Sequence, residues 1–231
     1  VISGLGRGYV LRARTQPALL VALPFLAFLL YLRGDPIIGV AIPVVSVLGV
    51  VAFMNEIVRG RGRRLEKRLI QKWGALPTTA RLRWSGGKAA AMRRSELERF
   101  VGVELPTEED ERADPAEADR GYADVVKMAI EKLGRNTLLQ TENIGYGFRR
   151  NMLAWRSVEF WLIALAAILN FSVGWWSEFP ATTYFVWSAH GLALLAWIFV
   201  VNEAWVRDQA ESYADQFFAE VRSSATDNVQ A

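Results

Sequence analysis

Two pairs of arginines carry the densest hint of chemistry in this chain. Arg81 and Arg83 close the stretch Lys72-Trp-Gly-Ala-Leu-Pro-Thr-Thr-Ala-Arg-Leu-Arg83, and Arg149 and Arg150 fall in Glu142-Asn-Ile-Gly-Tyr-Gly-Phe-Arg-Arg-Asn151. A guanidinium is a planar fork that donates two parallel hydrogen bonds, which suits a phosphate. Trp73, Trp84, Tyr146 and Phe148 interleave with these charges, and aromatic faces beside arginines stack bases. The leading expectation is a phosphate-bearing ligand held by Arg81, Arg83, Arg149 and Arg150. In that site Lys72 adds charge, Trp73 and Tyr146 shape the pocket, and Thr78, Thr79 and Asn151 supply neutral hydrogen bonds. The competing reading is topological, because Lys and Arg beside a membrane span mark its cytoplasmic side and meet lipid headgroups. That reading accounts for the basic run 59–68 without any ligand.

Other chemistries find little support. With no cysteine and a single histidine, His190, the chain offers no thiolate site, no disulfide and no two-histidine metal set. The acids Glu108 to Glu111 with Asp114 lack the spacing and turn glycine of a calcium loop, and read as a solvated helix start favoured by the helix dipole. No G-x-S-x-G, P-loop or paired-carboxylate motif occurs. The expectation is therefore a protein that is not an enzyme and needs no cofactor or metal.

The elements that position these residues follow from where the apolar residues lie. They concentrate in four blocks, while the middle of the chain is as charged as a soluble protein. The expected fold is all-α, with transmembrane helices over about 17–32, 37–54, 158–177 and 183–201. The first is short against the ~20 residues that a bilayer core requires. It has no A-x-A-like cleavage site and is read as retained. Lys and Arg crowd the N-terminal segment, the polar insert and the C-terminal helix, and nearly vanish from the two short loops. That asymmetry puts both termini and the insert in the cytoplasm. The expected organisation is a basic segment and hairpin over 1–54, a helical insert over 55–156, a second hairpin over 157–201, and a C-terminal helix and tail over 202–231.

Within the insert, a helix over 57–72 stops at Gly74 and Pro77, and Thr78 or Thr79 is expected to cap the next. Gly86-Gly87 reads as a turn, and a helix follows from about Ala89 to Val101. Thr107 before a run of acids signals another helix start. Pro115–Leu133 is the clearest soluble helix, with Tyr122, Val125, Val126, Ala129, Ile130 and Leu133 on one stripe, Pro115 in its first turn and Gly134 at its end. Span four is expected to run unbroken into 202–223, where Val206, Ala210, Tyr213, Phe217 and Val221 approach a heptad seam suited to self-association. The tail beyond Ser223 reads as disordered.

Polar groups inside spans are site candidates by default. Ser46, Glu159, Asn170, Ser188 and His190 qualify. Asn170 and His190 are expected at similar depth, either lining an aqueous path with Ser188 or hydrogen-bonding two helices. Glu159 is expected to pair with Arg156 or Arg150.

The W-G-x-x-P-T-T element at 73–79 and the Y-G-F-R-R-N element at 146–151 resemble those of small, poorly characterised bacterial four-span membrane proteins that neighbour anti-phage defence genes. The resemblance implies an inner-membrane effector controlled by a nucleotide or oligonucleotide made by a cytosolic partner enzyme. Combined with the seam, the expectation is a homo-oligomeric, channel-like protein gated by an anionic ligand. The alternative is a membrane-anchored scaffold that binds a protein through Tyr122–Leu133 or the C-terminal helix.

Overall fold

A computed structural model describes residues 11–17, 19–21, 57, 60–134, 137–176 and 181–230. Among them every regular element is helical, and no strand occurs. The chain divides into two compact units. A polar unit comprises Lys67–Tyr146 and Arg207–Ala231, and an apolar unit comprises Val1–Glu66 and Gly147–Val206. The division falls at 66/67 and 146/147, inside the insert expected over 55–156.

Helix α1 covers 60–73. It ends where Gly74 takes φ 82°, and Pro77 starts the next helix, α2 (Pro77–Ala80). Thr78 and Thr79 do not cap it. Pro77 occupies the first turn, Leu76 sits at the N-cap without a side-chain bond, and both threonines are buried inside the helix. A single 3₁₀ turn, Trp84–Gly86, leads into α3 (Gly87–Val101), which stops at Gly102 with φ 83°. Only a residue free of Cβ strain takes that left-handed cap readily.

Helix α4 (Glu108–Ala113) opens with a full capping box. The Thr107 hydroxyl accepts from the Asp110 N–H at 3.2 Å, and the Asp110 carboxylate accepts from the Thr107 N–H at 2.9 Å. Asp114 then caps α5 (Pro115–Leu133) by accepting from the N–H groups of Ala116 and Glu117, both at 3.0 Å. Proline lacks the N–H that a first turn leaves unbonded, so Pro115 fits there, and Gly134 closes the helix at φ 65°.

The stripe of α5 makes the core of the polar unit. Tyr122, Val125, Val126 and Ala129 are buried with Leu82, Leu97, Phe100 and Leu105. Gly121 lets the connector reach α5, since a Cβ there would stand 2.8 Å from Pro106 Cγ. Each fully buried apolar side chain of this size contributes roughly 1.5–3 kcal/mol by leaving water.

Helix α6 (Thr137–Trp176) runs forty residues without interruption. It contains Leu138–Trp176, the one described helix that by itself is long and apolar enough to cross a membrane. Helix α7 (Ala181–Phe199) and helix α8 (Glu203–Gln230) follow. The continuous final helix expected from the sequence is broken at 200–202. Asn202 explains the break: its amide donates to the Phe199 carbonyl at 3.0 Å and its oxygen accepts from the Trp205 N–H at 2.9 Å, an N-cap that ends one helix and starts the next. Thr183–Phe199 reaches spanning length only when joined to Glu203–Ala225. Residues 17 and 19–21 of the first expected span are helical; the second, at 37–54, lies with Ser46 outside the described residues.

The expected oligomer seam is used inside the chain. Ala210, Phe217 and Val221 are buried, and Phe217 and Val221 join the Tyr122 cluster with Tyr213 packed against it. The reason is that α5 presents a matching apolar stripe and reaches it intramolecularly, without association entropy to overcome. Beyond Ser223, the helix continues to Gln230 instead of fraying into a tail. Phe217→Ala is expected to remove about 3–5 kcal/mol from the polar unit and to speed amide exchange in α5, with no change in particle mass in detergent. A halved particle mass with α5 protection intact would return the seam to a subunit contact.

Candidate functional site

In the apolar unit, the residues buried along α6 include Trp155, Glu159, Ile163, Ala166 and Asn170. Their spacings of four, four, three and four describe one face of a helix. In α7 the buried set is Thr183, Val186, His190 and Trp197. The opposite faces carry Trp161, Leu165, Ile168, Phe171, Trp175 and Trp176 on α6, and Tyr184, Phe185, Leu192, Leu195 and Phe199 on α7, all exposed. Trp161 is 77% exposed, Phe185 76% and Trp176 87%, while Glu159 and Asn170 are at 0%. Polarity is thus inverted relative to a water-soluble bundle, with carboxylate, amide and imidazole inside and large aromatics outside.

Glu159 and His190 both line a cavity of about 600 Å³, whose walls include Phe148, Met152, Trp197 and Trp205. His190 also borders a second cavity of about 450 Å³, beside Phe171 and Trp187. Both carboxylate oxygens of Glu159 lack a hydrogen-bond partner among the described residues. The ion pair expected from the sequence does not form, because the neighbouring arginines are committed elsewhere. Arg150 pairs with Glu66 at 2.8 Å, and Arg156 donates to the Ile198 carbonyl at 3.3 Å and lies over the Phe160 ring. Arg149 donates to the Trp205 carbonyl at 2.9 Å and stands over the same residue's ring at 5.0 Å.

The membrane polar trio is divided. Asn170 and His190 turn inward, whereas Ser188 is exposed and donates to the Tyr184 carbonyl of its own helix at 2.9 Å. Neither amide atom of Asn170 has a hydrogen-bond partner among the described residues, so it does not bridge to His190.

The ten residues expected to hold a phosphate fall into different units: Lys72, Trp73, Thr78, Thr79, Arg81, Arg83 and Tyr146 in the polar one, Arg149, Arg150 and Asn151 in the apolar one. Arg81 faces two acids of α8, donating to Glu211 at 2.7 Å and to Asp215. Burial works against its charge, and the hydrogen bonds and charges of Asp215 and Glu211 outweigh that, holding its pKa above the ordinary arginine value. Arg83 donates twice to Asp119, at 2.9 and 2.5 Å, and once to the Gly74 carbonyl at 3.0 Å. Trp73 lies 5.9 Å from the Arg207 guanidinium, Lys72 is exposed and Tyr146 half-buried. Asn151 is buried and donates to the Ala13 carbonyl at 2.7 Å.

Arg94 escaped the sequence reading: it is buried, donates to the Leu82 carbonyl at 2.8 Å and stacks 3.7 Å from the Trp84 ring, fastening the connector over 74–86. Glu159 was expected as an ionisable group inside a span, but with an arginine partner that it lacks among the described residues. The acids of α4 serve as caps and acceptors: Glu111 takes hydrogen bonds from the Tyr122 hydroxyl at 2.7 Å and the Trp84 N–H at 3.1 Å.

No protein-family model, curated protein or solved structure matches the chain.

The close approach of α1 to α6 in the apolar unit depends on Gly62, where a Cβ would stand 2.1 Å from Asn151 Oδ1. Gly62→Ala is expected to cost about 1–3 kcal/mol by overpacking. Gly60→Ala, which meets nothing within 4 Å, is expected to be neutral or to gain up to about 1 kcal/mol of helix propensity. Thermal unfolding of the two variants in detergent measures the contrast, and equal midpoints would refute the contact.

Proposed function

We propose that this chain is an integral membrane effector of the channel-like kind, with a lipid-embedded helical unit controlled through the helical unit outside the bilayer. The observation that carries the reading is the inverted polarity of α6 and α7. Monomers in water rarely expose continuous aromatic and aliphatic faces of this extent. Lipid tolerates them, and it drives ionisable groups toward the bundle interior. Charge asymmetry along the sequence favours a bacterial inner-membrane orientation with both termini in the cytoplasm. The scaffold alternative is less favoured, since the Tyr122–Ala129 stripe and Phe217–Val221 are already spent on the chain's own core.

Control by a phosphate-bearing ligand, a nucleotide or oligonucleotide, works by exchange on this reading. Arg81 already holds Glu211 and Asp215, so the ligand must displace these acids and thereby frees α8 from α2. Subunits, if they assemble to enclose a path, meet through the exposed faces of α6 and α7 and not through the buried seam.

The chain has no cysteine, so any introduced thiol is unique. Ile168→Cys in native membranes is expected to react with a water-soluble, impermeant maleimide at least about tenfold more slowly than Glu109→Cys in opened vesicles, since the hydrocarbon core excludes the reagent. Equal labelling at the two positions would defeat the membrane reading. For control, inorganic tripolyphosphate is expected to speed amide exchange over 210–221 in the wild-type protein and to leave Arg81→Ala unmoved. An identical response in both proteins removes Arg81 from the site.

A further inference from the structure

The cavity around Glu159 has a chemistry of its own. Its volume of about 600 Å³ lies within the roughly 300–1,000 Å³ usual for sites of small organic ligands. Phe148, Met152, Trp197 and Trp205 make its walls apolar and aromatic. Glu159 and His190 are the titratable residues of this lining; Glu159 is fully buried, and neither of its carboxylate oxygens has a hydrogen-bond partner among the described residues. We propose that this cavity binds an apolar organic monocation, its positive charge against Glu159 and its hydrocarbon body against Trp197, Trp205 and Phe148.

An unpaired buried carboxylate costs several kcal/mol, and a complementary ion recovers much of that. Among the described residues no hydrogen bond joins Glu159 to a cation: Arg149, Arg150 and Arg156 donate to Trp205, Glu66 and Ile198, and His190, on the same cavity, does not bond to it. A small metal ion is a poor fit, because calcium and magnesium require about six oxygen ligands and the wall offers one carboxylate. A strongly hydrated ammonium keeps its water at a surface of this kind. A quaternary or aryl-substituted cation has little hydration to lose and gains from indole faces, which attract cations through the ring quadrupole. A phospholipid acyl chain would suit the apolar walls but leaves the carboxylate unanswered.

The site rests on the membrane reading for its supply, because such cations concentrate in lipid. Binding itself is measured in detergent and does not need that reading, so maleimide labelling and ligand binding fail separately. The probe is tetraphenylphosphonium, followed by equilibrium dialysis against the full-length protein in micelles. One saturable site is expected per chain, at least tenfold weaker in Glu159→Gln, several-fold weaker in Trp197→Ala, and largely kept in Glu159→Asp. Should Glu159→Gln not fold, the wild-type protein answers through dicyclohexylcarbodiimide, to whose central carbon the Glu159 carboxyl adds; tetraphenylphosphonium is expected to block that adduct. The proposal is overturned by tetraphenylphosphonium binding that Glu159→Gln leaves unchanged, by the absence of a saturable site above that of empty micelles, by carbodiimide labelling that the cation does not slow, or by a co-purified phospholipid that it fails to displace.

Discussion

A single unbroken helix contributes to both units: the first turns of α6 belong to the polar one and the rest to the apolar one. Leu139 belongs to the Tyr122 core of the polar unit, while Met152, Trp155 and Ile163 belong to the core of the apolar one. A helix satisfies its own backbone hydrogen bonds wherever it goes, so one element can run from the core of one unit into that of the other without a break. What changes along α6 is only which side chains face inward. Near its start apolar groups are buried and charges stay out; from Glu159 to Asn170 the interior accepts polar groups and the aromatics turn outward.

The readable parts of the fold are those where local chemistry and tertiary packing agree. Pro115, Asp114 and Gly134 bound α5 because each meets a backbone requirement that no distant contact alters. Thr107 with Asp110 is legible for the same reason. Failures occur where a distant partner decides. An amphipathic seam at Ala210–Val221 looks the same whether its mate is another subunit or α5 of the same chain, since periodicity identifies a buried face and not what covers it. No glycine or proline announces the break at Asn202, although asparagine is a strong cap. Thr78 and Thr79 carry capping chemistry, yet Pro77 fixes the helix start before them.

The pairings of the arginines were not legible in the sequence. Arg149 stands over Trp205 and Arg94 over Trp84, and the sequence had brought neither Trp205 nor Arg94 into the expected site. What composition does not disclose is that acids lying far along the chain reach these arginines first: Asp119 for Arg83, and Glu211 with Asp215 for Arg81. Glu159 shows the reverse error. Arg156 precedes it by three residues, a spacing that favours a helical ion pair, but packing directs the arginine to Phe160 and the Ile198 carbonyl and the glutamate into the cavity.

Energetics rank the two kinds of site. The Arg81 and Arg83 pairs are partly exposed, and ion pairs in contact with water contribute about 0–1 kcal/mol each. Such pairs form and open cheaply, which is what an exchangeable contact with a soluble anion requires. Glu159 belongs to another regime, because a buried carboxylate costs several kcal/mol unless it is neutral or paired. A group held there at that cost does not improve packing, and leucine would fill the same space between Trp155 and Ile163 at lower energy. The expense becomes intelligible if the carboxylate meets a charge that arrives from outside the chain. The same walls that make the isolated carboxylate costly exclude the water that would otherwise screen its attraction for a cation. On this proposal, affinity for a weakly hydrated ion and the cost of the isolated carboxylate share one cause.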